Sequence, residues 1–206
     1  MLTWQCNLIL VRDLAEPIEA TVIAPPLLHQ SVSLSCADMI PPLDRFCAAQ
    51  QFPGGWVRRM LEHGATAQII SNAGEVVAAG WSVSSEFLIE EIGQRFNPGQ
   101  HADYYFGDFV AGAFRGRSLQ RLLIRKRLII SKTQGQRSAT AMTLQDNHPS
   151  LANYKAEKFL VSAELQTARK GRLRLERLQR HPNPVASWVL SGSGFLIPGL
   201  GRIRWS

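Results

Sequence analysis

The first pattern along the chain is strand-like. Residues 3 to 11, TWQCNLILV, gather apolar positions as a strand bordering a core does, and Arg12 and Asp13 end the run. From 21 to 53 (TVIAPPLLHQSVSLSCADMIPPLDRFCAAQQFP) proline and serine accumulate. The Pro-Pro pairs at 25/26 and 41/42 break any long helix, so loops around short elements are expected there. Trp56 to His63 reads as a short helix closed by Gly64. The run ATAQIISNAGEVVAAGWSVSS holds two β-rich segments joined by Asn72-Ala73-Gly74, a hairpin signal. Glu86 to Arg95 fits neither the helical nor the strand period, and FNPGQ is a turn leading into a strand, ADYYFGDFV.

After that strand comes FVAGAFRGRSLQRLLIRKRL, residues 109 to 128, in which a strand runs through small residues into a basic turn. Leu119, Leu122, Leu123, Ile129 and Ile130 lie near helical spacing, so one face of a helix can pack on a sheet. Arg117, Arg121 and Arg125 recur every four residues on another face, and no acidic residue occurs between Asp108 and Asp146 to neutralise them locally. SATAMTL (138 to 144) reads as a strand, DNHPS as a turn with helix-start chemistry and LANYKAEKF as a short helix. FLVSAELQTA and GRLRLERLQ read as two strands about a Lys-Gly turn. In the second, Arg172, Arg174 and Arg177 partly alternate with Leu173, Leu175 and Leu178, as in an exposed edge strand. The tail SGSGFLIPGLGRIRWS carries no assignable pattern. The order is mainly antiparallel strands, with a helix between 110 and 138 where a parallel pair becomes possible.

Composition sharpens this only in part. A chain of 206 residues, 45% hydrophobic, can bury a full core. The net charge of +7 comes largely from residues 115 to 137 and 169 to 180. Such local basicity suits an anionic ligand, a nucleic acid or an acidic partner, or it is simply solvated surface charge. Nucleic-acid binding calls for aromatic residues among the basic ones, and 115 to 137 contain none. Cys6, Cys36 and Cys47 are odd in number and lack CxxC spacing, which fits a reducing, cytoplasmic setting. The five histidines, His29, His63, His101, His148 and His181, are scattered without metal-ligand spacing. No segment approaches the roughly 18 uninterrupted apolar residues of a membrane span, and the N-terminal run lacks a basic leader, so a soluble protein is expected. Trp56 and Trp81 are expected in the core.

The most specific pattern is an ordered set: a strand ending in small residues (Phe109 to Ala113), then Arg115-Gly116-Arg117-Ser118-Leu119-Gln120 at a helix start, a strand around Ala139 to Leu144, Asn147-His148-Pro149-Ser150, and Tyr154 followed by Lys158-Phe159. This set resembles the GNAT superfamily of acyl-CoA-dependent N-acyltransferases over roughly residues 55 to 165. The resemblance implies an α/β (α+β) fold: a mixed, mostly antiparallel central sheet of six to seven strands flanked by helices, with a splayed parallel pair. It implies one acyltransferase domain over 1–206, with core motifs at about 55–165 and C-terminal strands and tail at 166–206.

It also implies roles. The backbone of Arg115 to Gln120 would hold the pyrophosphate of acetyl-CoA, as a helix N-terminus with arginines nearby is suited to do. The strand carrying Phe109, Val110 and Ala111 would pair with the pantetheine arm, with the Val110 amide polarising the thioester carbonyl. Tyr154 would protonate the departing thiolate, and Asn147, with Ser150, would orient the cofactor arm or cap the following helix. The family usually has small residues where this chain has Ser118 and Gln120; Gln120 crowds the cofactor unless its side chain turns away, and an acyl carrier protein thioester stands beside coenzyme A as a donor. A base for the amine is sought among Glu86, Glu90, Glu91, Asp103 and Asp108. Asp108 is the best placed, because strand alternation puts it on the face of Val110 and of Tyr104. No metal is implied. The acceptor is a small-molecule or peptide amine shaped by residues 24 to 53 and 84 to 103, and a homodimer through a sheet edge fits the resemblance. Two readings compete: a GNAT-like domain that binds without catalysis, and a basic nucleic-acid-binding module.

Overall fold

A computed structural model of the chain describes residues 3–89, 92–170, 173–183, 186–191, 195–197 and 201–205. The strands in the first half are β1 (Thr3–Asp13), β2 (Leu27–Val32), β3 (Thr66–Asn72), β4 (Glu75–Val83), β5 (Phe87–Ile89), β6 (Gln94–Asn97) and β7 (Ala102–Val110). Those in the second half are β8 (Ser138–Leu144), β9 (Leu160–Lys170), β10 (Leu173–Arg180), β11 (Val189–Ser191), β12 (Phe195–Ile197) and β13 (Gly201–Trp205). The helices are α1 (Ile40–Ala49), α2 (Trp56–Glu62), α3 (Leu119–Thr133) and α4 (His148–Ala156).

Ten strands form one sheet in the order β12-β13-β10-β9-β1-β8-β7-β4-β3-β2, and β11-β6-β5 form a second. Every neighbouring pair among the described strands is antiparallel except β7 and β8, which α3 connects as a parallel crossover. The mixed, mostly antiparallel sheet agrees with the sequence reading. Its extra width comes from β2, inside the proline-rich stretch, and from β12 and β13 in the tail, where the strands are only three and five residues long in a glycine-rich run. Arg174 and Arg177 stand on a strand enclosed by β9 and β13, so β10 is not the edge its pattern suggests; Arg172 lies outside the described residues.

Two layers of helix cover the main sheet. Ile9, Val11, Ile69 and Trp81 pack with Leu43 and Phe46 of α1 and with Trp56 and Met60 of α2. Leu8, Leu10, Ala139 and Ala141, of opposite parity, pack with Ile124 and Leu128 of α3 and with Leu151 and Tyr154 of α4. Pro41 and Pro42 open α1 rather than break it. In the first turn a missing N–H removes no helical bond, and the ring pre-sets the backbone angle. The Ala73-Gly74 turn, both residues with positive φ (50° and 85°), joins β3 to β4 as a two-residue hairpin requires. The ambiguous stretch from Glu86 to Arg95 holds β5 and β6, which pair with each other. None of the described helices is long and apolar enough to cross a membrane.

The arginine stripe of α3 is not left unneutralised. Arg121 and Arg125 both bond to Glu157 just beyond α4, at 2.7 and 2.6 Å, and Arg125 also reaches Glu19 at 2.9 Å. The sequence suggests a cationic face because its counter-charges are distant in the chain. Burial raises the Glu157 carboxyl, but hydrogen bonds from Arg125 and Arg121 outweigh it and hold the pKa below the ordinary value. Glu157→Gln is expected to cost about 2 kcal/mol in urea unfolding at neutral pH. A depressed carboxyl stabilises fully above its unfolded pKa, about 4.3, and that contribution disappears as pH falls through the lower folded value. The deficit should therefore shrink on acidification below that pH; a deficit independent of pH would contradict the assignment.

Candidate active site

The cleft begins where β7 and β8 part. Their pairing covers only Ala102–Tyr105 against Ser138–Ala141. Beyond it β7 continues beside β4 alone, and a cavity of about 390 Å³ opens between the diverging ends. Thr143, Asn147, Ser150 and Tyr154 border it on one side; Asn7, on the face of Ile9, and an aromatic wall that includes Phe52, Trp56, Phe87 and Phe106 border it on the other.

A β-bulge shapes this end of β7. Ala79 pairs with Phe109 and Trp81 with Phe106, so Gly107 and Asp108 together oppose Gly80. Gly107 has φ of 60°, and a Cβ there would come within 2.9 Å of Trp81 Cδ1. A Cβ at Gly80 would collide with Asp108 Oδ1. The extra residue reverses side-chain parity. Tyr104 stays with Phe96 and Phe106 on the α1/α2 face, at ring distances of 4.7 and 5.7 Å. Asp108 falls instead on the α3 face with Tyr105, whose ring lies 4.6 Å from the Arg127 guanidinium. The expected grouping of Tyr104 with Asp108 is therefore corrected, while Asp108 and Val110 keep a common face.

Asp108 joins two buried groups. Arg127 donates through Nη2 to Asp108 Oδ1 at 2.5 Å and through Nη1 to the Trp81 carbonyl at 2.8 Å. Tyr154 Oη donates to Asp108 Oδ2 at 2.6 Å. Burial, reinforced by the Asp108 charge, pushes the Tyr154 phenol well above the ordinary tyrosine value. Burial alone would lower the Arg127 guanidinium, but the Asp108 carboxylate more than compensates and its pKa is raised.

The backbone of β7 is divided between β4 and the cleft. Ala111 N–H bonds to Val77 O at 2.8 Å, and in an antiparallel ladder the next residue back turns its amide the other way. Val110 N–H therefore points into the gap, whereas the Ala111 amide is committed to β4. The Val110 carbonyl, on the same side, accepts from Arg115 Nε at 3.4 Å. Phe109 faces the aromatic wall, edge-on to Phe52 at 5.0 Å.

The basic turn follows. Arg115 N–H closes a 3-10 turn onto Gly112 at 3.2 Å, so its amide is not open to a ligand. Gly116 (φ 75°) and Ser118 (φ 57°) both adopt left-handed backbone. The first regular bond of α3 runs from Leu122 to Ser118 at 3.0 Å, leaving Leu119, Gln120 and Arg121 amides without intrahelical acceptors. Arg117 is exposed and rests over Phe114 at 5.0 Å. Gln120 turns away from this end, giving a hydrogen bond to Ser150 Oγ at 3.1 Å and accepting one from Asn153 at 2.9 Å. Asn147 caps α4 by accepting from Ser150 N at 3.3 Å.

Of the other carboxylates considered as bases, Asp103 is buried and bonded to Ser84 and Ser131 at the start of β7. Glu86 is on the surface paired with Arg95 at 2.9 Å; Glu90 and Glu91 lie outside the described residues. Trp56, expected only in the core, is buried and also lines the cleft. Arg127, Gly80 and Asn7 were not singled out. Arg127 had a signal, since Leu119, Leu123 and Arg127 share one helical stripe, and a charge in an apolar stripe demands a buried partner.

No family model matches the chain, and no curated protein matches it in sequence. Solved structures do resemble it in fold. A GNAT-family protein from Novosphingobium aromaticivorans superposes with a TM-score of 0.56 at 16% identity, covering 88% of this chain and 68% of that one. An acetyltransferase of the GNAT family from Colwellia psychrerythraea gives 0.56 at 15%, covering 79% and 55%. A GCN5-related N-acetyltransferase from Sphaerobacter thermophilus gives 0.55 at 11%, covering 81% and 51%. The chain thus spans about half to two thirds of the length of these three solved chains.

Arg127→Met would leave Asp108 charged and buried without its cation, and is expected to destabilise the fold by about 3–5 kcal/mol in urea unfolding. Adding Asp108→Asn should recover part of the loss; a loss below about 1 kcal/mol would mean that the pair is not desolvated as described.

Proposed function

We propose that this chain, which has a GNAT-superfamily fold, is an N-acyltransferase that moves an acyl group from acetyl-CoA or a related acyl-CoA to an amine by direct attack. The observation that carries the reading is that β7 parts from β8 at a cavity bordered by Tyr154, with the Val110 amide turned away from β4 and α3 beginning just beyond the strand. Fold similarity alone would not carry it, because one fold hosts many activities.

The residues present fit such a donor. The Leu119, Gln120 and Arg121 amides, with the exposed Arg117 guanidinium, form an end that favours phosphate. Gln120, held against α4, leaves that end uncrowded, which favours coenzyme A over a carrier protein. When bound, the thioester supplies an acyl carbon open to attack by a neutral amine and a thiolate that can leave. Val110 N–H would donate to the oxygen on which negative charge develops.

Tyr154 and Asp108 would handle the protons as a pair. A phenol raised well above its ordinary pKa does not readily become phenolate. Its bond to Asp108 Oδ2 offers another route: Asp108 accepts the proton lost by the amine, Tyr154 gives its own proton to the leaving thiolate, and Asp108 returns a proton to Tyr154. The phenol stays neutral at both ends of the relay, and Arg127 keeps Asp108 oriented for it.

Tyr154→Phe is expected to lower kcat about 100-fold with acetyl-CoA saturating, leaving donor affinity nearly unchanged; unchanged turnover would remove Tyr154 from the chemistry. Arg117→Glu is expected to weaken acetyl-CoA binding about tenfold in calorimetry, most at low salt; unchanged affinity would place the phosphates elsewhere.

A further inference from the structure

We propose that the half of the cleft facing Tyr154 is an acceptor pocket for a primary amine with an apolar or aromatic body and a carbonyl group, and that Asn7 recognises that carbonyl. The proposal rests on the acyltransferase reading, which gives the Tyr154 side of the cleft to the donor.

The body of the ligand follows from the wall. Phe52 lies against Trp56 at 4.2 Å and against Phe109 at 5.0 Å, while Phe87 lies against Phe106 at 4.4 Å. These rings come from β5, β7, α2 and the loop before it, so the surface is held by several packed elements. Asp108 is the only carboxylate among the described lining residues, and Arg127 pairs with its charge. No lysine or arginine lines the described cavity. A wall of this kind gains from removing apolar surface from water, which a ligand without an apolar body does not supply. The cavity, about 390 Å³, suits a small ligand.

The carbonyl follows from Asn7. This residue is on β1, on the same face as Ile9 and Val11, and lines the cleft with only 6% of its surface exposed. Its strand neighbours are Leu144 on β8 and Leu165 on β9. Asn7 Nδ2 is buried and has no hydrogen-bond partner. A desolvated amide donor in apolar surroundings is unfavourable until an acceptor reaches it, and a ligand carbonyl oxygen provides one. The amide also discriminates, because an amine of the same shape without the carbonyl would bury the donor unpaired.

The test is calorimetric titration of the full chain with phenylalanine amide, phenethylamine and spermidine, repeated on Asn7→Leu and Asn7→Asp, with acetyl-CoA titrated separately. Phenylalanine amide should bind saturably and at least about tenfold more tightly than phenethylamine, with no saturable binding of spermidine. Asn7→Leu should bring the ratio of the first two close to one. Asn7→Asp, which has no side-chain N–H to give, should also abolish the preference, and it serves if the leucine variant does not fold. The proposal is overturned if spermidine binds as well as phenylalanine amide, if no amine binds, or if the ratio survives both substitutions. Failure of acetyl-CoA to bind while the amide still does would sink the acyltransferase reading and leave the pocket standing; the reverse result would sink the pocket alone.

Discussion

The site is organised by one extra residue in β7. Because Gly107 and Asp108 share a single partner on β4, the carboxylate of Asp108 reaches the α3 face, where Arg127 and Tyr154 meet it. The seat exists only because Gly80 has no side chain to fill it. A buried carboxylate is tolerable when its charge is paired and its lone pairs are bonded, and here a guanidinium from α3 and a phenol from α4 do both. The same ion pair ties the sheet to α3, and the phenol ties it to α4, on the side where β7 and β8 have separated. Strand divergence, helix packing and the chemistry proposed for the cleft thus share one constraint.

Charge on this chain divides into two populations that look alike in sequence. Arg121 and Arg125 hold α3 to the end of α4 through Glu157, and Arg127 is buried with Asp108. Arg117 is left facing solvent at the start of the helix, where a phosphate would gain both from the guanidinium and from unpaired amides. Arg121 and Arg125 being paired with Glu157, an anionic ligand would meet Arg117 at the first turn.

Much of the fold was legible because the signals are local. Asn72-Ala73-Gly74 marks its hairpin, the Leu and Ile spacing after residue 118 marks α3, and the interval from Phe109 to Tyr154 marks the crossover and the helix that follows. The proline pair at 41/42 misled because the same residue that breaks a helix interior suits a helix start. In the proposed site, Tyr154, Val110 and Asp108 are expected from the ordered motifs and strand alternation, but not that Asp108 faces away from Tyr104, since a bulge leaves no mark in strand periodicity beyond a glycine. The Glu157 and Arg127 pairings span 19 to 36 residues of chain, and Asn7 reaches the cleft only because β1 sits between β8 and β9. Pairings of that kind are set by topology, which no local window contains.

The most direct test of the account is the amide resonance of Val110 in chain labelled with 15N-valine, followed as acetyl-CoA is added. The account predicts a saturable shift of that resonance, with slowed exchange of its proton, as the Val110 amide acquires the thioester carbonyl as an acceptor. A Val110 resonance that stays unmoved while acetyl-CoA saturates the protein, or acetyl-CoA that does not bind at all, would contradict it.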